Sequence, residues 1–140
     1  MLNCKMNIWN HAIINFILGL ILRFDPFGIF IFVLGAVLID IDHPIHMIFV
    51  EKISSVKKMW KWHRREFAKM GRHRFVFHQV EILLLLAVFG YFINRHLFIF
   101  FLGAIVHWVV DVLVHLKHYH NFKSLEYYSI TGFLISKFIN

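Results

Sequence analysis

A single cysteine, Cys4, is all the thiol this 140-residue chain contains. No intramolecular disulfide is possible, and metal clusters held by thiolates are excluded. A bound metal must therefore be held by His, Asp or Glu. Internal repeats and low-complexity tracts are also missing, which leaves a single folded unit over residues 1–140. Charge is scarce in four stretches, residues 8–22, 27–39, 82–93 and 97–114. The flank of the first holds only Lys5, and no small-residue cleavage site follows before Arg23 and Asp25. That run reads as a retained span rather than a secretory signal.

What is present is apolar. The chain is 59% hydrophobic and 18% aromatic with a mean hydropathy of +0.66, against roughly 45–50% apolar content in soluble domains. A bilayer-spanning helix needs about 20 such residues, so the shorter runs need their polar ends sheltered by protein. The expected fold is all-α: a polytopic membrane bundle of about four transmembrane helices, with a basic amphipathic connector at 51–75 and a shorter apolar tail at 130–139. Nine of the fifteen Lys and Arg lie in residues 52–74. By the positive-inside rule this segment is expected in the cytoplasm, and both termini with it.

Within the connector, Ile53, Val56, Trp60, His63, Phe67 and Met70 recur at spacings of three and four, which makes one apolar stripe on a cationic helix. Two placements remain open. The helix can lie in the membrane plane with Lys and Arg on anionic headgroups, or pack across the cytoplasmic mouth of the bundle. Membrane lipid is the expected partner of these cations, and nucleic acid is not.

In an up-and-down bundle with its amino terminus inside, odd helices begin and even helices end at the cytoplasmic face. His11 lies near the start of the first helix, Asp40, Asp42 and His43 close the second, His73 and His78 precede or open the third, and His107 and Asp111 lie late in the fourth. All eight fall at one end. Gly103, His107, Asp111 and His115 recur every four residues, so His107 and Asp111 can reach one ion together. His11, Asn15 and Gly19 form a similar stripe that permits close helix approach. Ionisable groups inside a membrane bundle are costly and mark functional sites.

The stretch "GAVLIDIDHPIH" concentrates the cost. Pro44 disfavours helical geometry at His43, so the second helix is expected to end there, with two carboxylates at the negative end of its dipole. A metal ion or connector cations would balance them. Asp42 has three open roles: cap of a following helix, general base, or ligand. His73 and His78, five apart, would sit about 140° apart on a continuous helix, so both can face one site only if the third helix begins between them. Arg74 is a candidate phosphate or carboxylate contact, or a headgroup-bound cation. His46, His63, His115, His118 and His120 are less constrained.

"DIDHP" at 40–44, "HRFVFH" at 73–78 and "GAIVHWVVD" at 103–111, with a His in the first helix, resemble the motifs of the YdjM-type membrane-bound metal-dependent hydrolases, in the same order. The resemblance implies that His11, Asp40, Asp42, His43, His73, His78, His107 and Asp111 form a metal site. The chain departs from the family pattern at Ile39, Phe75, Phe77 and Gln79, which removes hydroxyls near the second His motif. A more distant likeness, to zinc-dependent phospholipase C and the P1-type nucleases, implies a phosphoester substrate and more than one zinc.

Imidazole and carboxylate donors without thiolate suit a divalent metal, zinc first and Mn²⁺ or Fe²⁺ next. The expected activity is metal-assisted hydrolysis of a phosphoester or lipid headgroup, with Asp42 as base and Arg74 beside the substrate. The rival readings are a metal or proton transporter, a haem-binding bundle, and a structural membrane protein whose polar groups cap helices.

Overall fold

The computed structural model describes residues 8–59, 61, 76–119 and 128–139, and every regular element among them is helical. In chain order these are α1 (Ile8–Ile21), α2 (Pro26–Leu38), a 3₁₀ turn (Ile39–Ile41), α3 (Asp42–Phe49), a second 3₁₀ turn (Val76–His78), α4 (Val80–Ile93), α5 (Arg95–Tyr119) and α6 (Ile130–Ile139). The four apolar runs and the tail each fall on one of these helices, whose i to i−4 bonds satisfy the backbone within the stretch itself. In the connector, residues 56–59 are helical. Trp60, His63, Phe67, Met70, His73, Arg74 and Phe75 lie outside the described residues.

Local chemistry fixes the ends opposite the polar cluster. α1 closes with Arg23 at φ 57°, its N–H bonded to the Leu20 carbonyl at 3.0 Å and that of Phe24 to Gly19 at 3.1 Å. This is the paired bonding of a Schellman stop. Two residues on, Asp25 caps α2 by accepting from Gly28 N–H at 2.9 Å, with Pro26 in the first turn. That backbone bond holds the Asp25 carboxyl below its ordinary pKa. The reversal is tight, so α1 and α2 run antiparallel; Asn94 makes the equivalent reversal between α4 and α5 by accepting from His96 N–H at 2.7 Å.

α5 is the central helix and packs against both α2 and α4, while α1 packs on α2. The α2–α5 crossing is set by two glycines. A Cβ on Gly35 would run into the Phe100 carbonyl, and one on Gly103 into the Phe32 carbonyl. Any side chain at either position would force the backbones apart. Beside this crossing Ile39, Leu83 and Ala104 form a buried apolar cluster, with Ile105 and Trp108 against it.

Among the described residues two stretches are long and apolar enough to cross a membrane by length and composition, Pro26–Phe49 and Arg95–Lys117, and α1 and α4 are shorter apolar helices. At 14 residues each, α1 and α4 are about 21 Å long, shorter than the roughly 30 Å hydrocarbon core.

The expected end of the second helix at His43 is corrected. The chain leaves α-helical geometry earlier, at Ile39, for one 3₁₀ turn, and resumes as α3 at Asp42. Pro44 then sits in the first turn of α3, where a missing N–H costs nothing. Of the two positions open to His78, preceding or opening the third apolar helix, the structure shows the first: α4 begins at Val80, after the 3₁₀ turn that carries His78.

Candidate metal centre

Antiparallel packing gathers seven of the eight candidate residues at one end of the bundle. His11 comes from the first turn of α1, Asp40 from the 3₁₀ turn, Asp42 and His43 from the start of α3, His78 from the turn before α4, and His107 and Asp111 from the later half of α5. His73, the eighth, and Arg74 lie outside the described residues.

His107 has no solvent exposure, and its Nδ1 lies 2.6 Å from the Ala36 carbonyl. A carbonyl only accepts, so Nδ1 is assigned the proton and donates. Nε2 then faces the site. It lies 3.2 Å from Asp111 Oδ2 and 3.4 Å from Asp40 Oδ1. A bare lone pair against two carboxylates is repulsive, so a cation belongs there, either a proton or a metal ion.

His78 mirrors this arrangement. Its Nδ1 lies 3.1 Å from Asp42 Oδ2, which also accepts from Phe77 N–H at 3.3 Å. Its Nε2 lies 3.4 Å from Asp40 Oδ1 and 3.9 Å from Asp111 Oδ2. Burial opposes charge on this imidazole, but the hydrogen bonds to Asp40 and Asp42 outweigh it and raise the pKa to about 9.

Four donor atoms therefore close a circuit: His107 Nε2, Asp111 Oδ2, His78 Nε2 and Asp40 Oδ1, with sides of 3.2, 3.9, 3.4 and 3.4 Å. Charge-assisted hydrogen bonds are usually 2.7–2.9 Å. Two ligands of one four-coordinate ion with bonds of 2.0–2.1 Å stand about 3.3–3.5 Å apart. Asp40, His78 and His107 come close enough together to share one ion, and the 3.4 Å sides at Asp40 fit donors around a metal better than direct ion pairs; Asp111 borders this trio through His107. Both imidazoles have the other nitrogen held, one by a carbonyl and one by a carboxylate, as metal-ligating histidines do.

Two further histidines flank the circuit. His11 Nε2 lies 3.2 Å from Asp111 Oδ1, the other oxygen of that carboxylate, and the His11 ring stacks on His107 at 3.7 Å between centroids. His43 Nε2 lies 3.4 Å from Asp40 Oδ1, and its Nδ1 lies 4.0 Å from Asp42 Oδ1. Three groups can each hold an ion: His11, His107 and Asp111; Asp40, His78 and His107; and Asp42, His43 and His78. The first two share His107, whose single available nitrogen serves only one ion.

Of the three roles open to Asp42, the cap is excluded. It is the first residue of α3 rather than its cap, and its bonds run to Phe77 and His78, thirty-five and thirty-six residues on. His46 pairs with Glu51 at 3.7 Å and His115 packs on Tyr128, both away from the circuit. Sequence reasoning missed the Ala36 carbonyl, which has no side-chain signature. It also missed Glu81, whose carboxylate accepts from Ser129 Oγ at 2.5 Å and from the N–H groups of Ile130 and Thr131 at 3.0 Å each, fastening α6. Ser129, a cap-forming type, was the available signal for the start of α6.

No family model, curated protein or solved structure matches the chain.

Proposed function

We propose that this protein is a multi-pass membrane hydrolase that uses a divalent metal, zinc by preference, to cleave a phosphoester presented in the inner headgroup layer. The observation that carries the reading is the four-atom circuit of His78, His107, Asp40 and Asp111, with both imidazoles pre-oriented. The likeness of its motifs to the YdjM-type hydrolases supports the same reading.

The membrane part rests on the two long apolar stretches, with α1 and α4 completing a four-helix bundle around them. Large apolar side chains stand exposed on every helix, Trp9, Phe49, Leu85 and Phe92 among them, as lipid-facing surfaces require. Both termini and the basic segment at 51–75 are assigned to the cytoplasmic side, with its Lys and Arg on anionic headgroups.

Asp40, His78 and His107 would hold the ion, with Asp111 beside it on His107. When bound, it would bring water toward neutral acidity and polarise a phosphoryl oxygen. The protein's own groups do the rest. Ala36 and Asp42 fix the two ring orientations, and His11 holds the second oxygen of Asp111. Asp42 Oδ1 is buried without a hydrogen-bond partner among the described residues; it is the oxygen available to take a proton from an attacking water, while Oδ2 orients His78. Arg74 is retained as the substrate-phosphate contact.

A metal or proton transporter is the second reading. It needs donors along a path through the bilayer, whereas the seven described candidates share one end. Metal analysis of detergent-purified protein, wild type beside Asp111→Ala, followed by a phosphodiester and lipid hydrolysis screen, tests the proposal. Zinc in the wild type alone, with turnover, supports it. Equal, near-zero metal in both removes the centre, and metal without turnover removes the hydrolase.

A further inference from the structure

An apolar groove of about 190 Å³ opens between α2, α4 and α5. Its wall includes Ile39, Ile41, Phe77, Leu86, Phe101 and Ala104, with no polar side chain in the lining. What distinguishes it from an ordinary packing defect is its position. Ile39 and Ile41 bracket Asp40 in the 3₁₀ turn, and Phe77 immediately precedes His78. The Phe77 N–H bonds the same Asp42 oxygen that orients His78. Ala104 lies one turn before His107 on α5. Groove and metal centre are thus two sides of the same short segments, one side hydrocarbon and the other polar.

We infer that the groove holds one acyl chain of a membrane phospholipid whose phosphate headgroup lies at the metal centre. The inference rests on the proposed hydrolase and narrows its substrate from phosphoesters in general to lipid phosphoesters. A tailless phosphoester would fill only the polar side. A chain with an anionic head would satisfy both sides at once, burying hydrocarbon while its charge meets the cation that Asp40, His78 and His107 would hold. Scaled from the roughly 150 Å³ apolar cavity that accepts benzene, the groove takes on the order of eight chain carbons. Burial of that length supplies binding energy remote from the phosphate, which holds the headgroup in place. The Phe at 77, where the resembled family carries Thr, adds apolar wall in place of a hydroxyl.

The test uses the full chain, zinc-loaded and reconstituted in phosphatidylcholine vesicles that contain phosphatidic acid with a diazirine at one chain end. After photolysis, mass spectrometry maps the labelled residues. The expected labelling concentrates on Phe77, Leu86 and Phe101 over the exposed Leu85 and Phe92. It falls roughly ten-fold, the equivalent of about two lost methylene contacts, in Ala104→Phe, which fills the groove. Leu86→Trp narrows the same space from a partly exposed position and serves if the first variant does not fold. Labelling of Leu85 and Phe92 as strong as that of the groove, or undiminished in both variants, means annular lipid and overturns the inference. Zinc content of the same samples separates the two layers: zinc without groove labelling overturns the lipid chain alone, and no zinc overturns the hydrolase and the substrate role together.

Discussion

The Nδ1 of His107 reaches the Ala36 carbonyl across 2.6 Å and seventy-one residues of sequence. This bond exists because Gly35 and Gly103 let α2 and α5 touch along their backbones, one residue before Ala36 and one turn before His107. Fold and site meet at this crossing. The contact that packs the bundle also chooses which imidazole nitrogen faces the carboxylates.

Gly35→Ala therefore acts on both. On an isolated helix the change would stabilise by about 0.5–1 kcal/mol. Here the Cβ meets the Phe100 carbonyl, so a net loss of about 1–3 kcal/mol is expected from overpacking, together with weaker zinc binding as Ala36 moves away from His107. Thermal unfolding in detergent and zinc titration check both. A more stable variant with unchanged zinc affinity would show that the helices are not in contact there.

Asp42→Asn separates orientation from ligation. The amide keeps the shape of Asp42 but loses its charge against His78 Nδ1, so zinc affinity is expected to fall roughly 10–100-fold, the usual cost of a lost outer-shell carboxylate. Asp40→Asn removes the carboxylate donor shared by His78 and His107 and should cost more. Competition with a chelator of known affinity ranks the two, and the reverse order would make Asp42 the ligand and Asp40 the support.

Metal binding should strengthen as pH rises. Without metal, His78 has a pKa of about 9, so near neutral pH its Nε2 must lose a proton before it can ligate. Ligation displaces the proton on His78 Nε2 as well as the one that His107 Nε2 holds without metal, so apparent zinc affinity climbs at least tenfold per pH unit up to about pH 9. The metal-free protein responds oppositely. A histidine whose folded pKa lies above its ordinary 6.5 adds stability that is fully present below pH 6.5 and disappears as pH passes through 9. Zinc titrations and metal-free melting curves between pH 6 and 10 test both signs, and a flat affinity profile would sink the assignment.

Much of this was legible in the sequence. The apolar runs locate α1, α2, α4 and α5 because hydropathy is a property of the residues themselves. The alternation of helix direction then puts His11, Asp40, His78 and His107 at one end without any knowledge of contacts. The 3₁₀ turn at Ile39–Ile41 was not legible. Pro44 is the strongest local breaker in "DIDHP", yet a proline in the first turn of α3 interrupts nothing, and the break lies in Ile39–Ile41 instead, where no residue advertises it. The pairing of Ala36 with His107 was equally hidden, since any residue supplies a carbonyl. Asp42 kept three readings for the same reason: only its distance to His78 and Phe77 removes the cap.

Glu81 gives a last prediction that separates the bundle from its tail. Its carboxylate sits at the amino terminus of α6 and accepts from Ile130 and Thr131 N–H and from Ser129 Oγ, which in turn accepts from Gly132 N–H at 2.9 Å. A negative group that takes up free N–H donors also complements the helix dipole there. In Glu81→Gln one oxygen is replaced by an NH₂ that can only donate, so at least one backbone donor loses its partner, at a cost of about 1–3 kcal/mol. None of these atoms belongs to the metal circuit. Amide hydrogen exchange across residues 128–139 should accelerate roughly ten-fold or more, while zinc content and the exchange of α5 stay as in the wild type. Unchanged exchange in α6 would mean that Trp108, whose indole N–H donates to the Tyr128 carbonyl at 3.2 Å, holds the segment without Glu81.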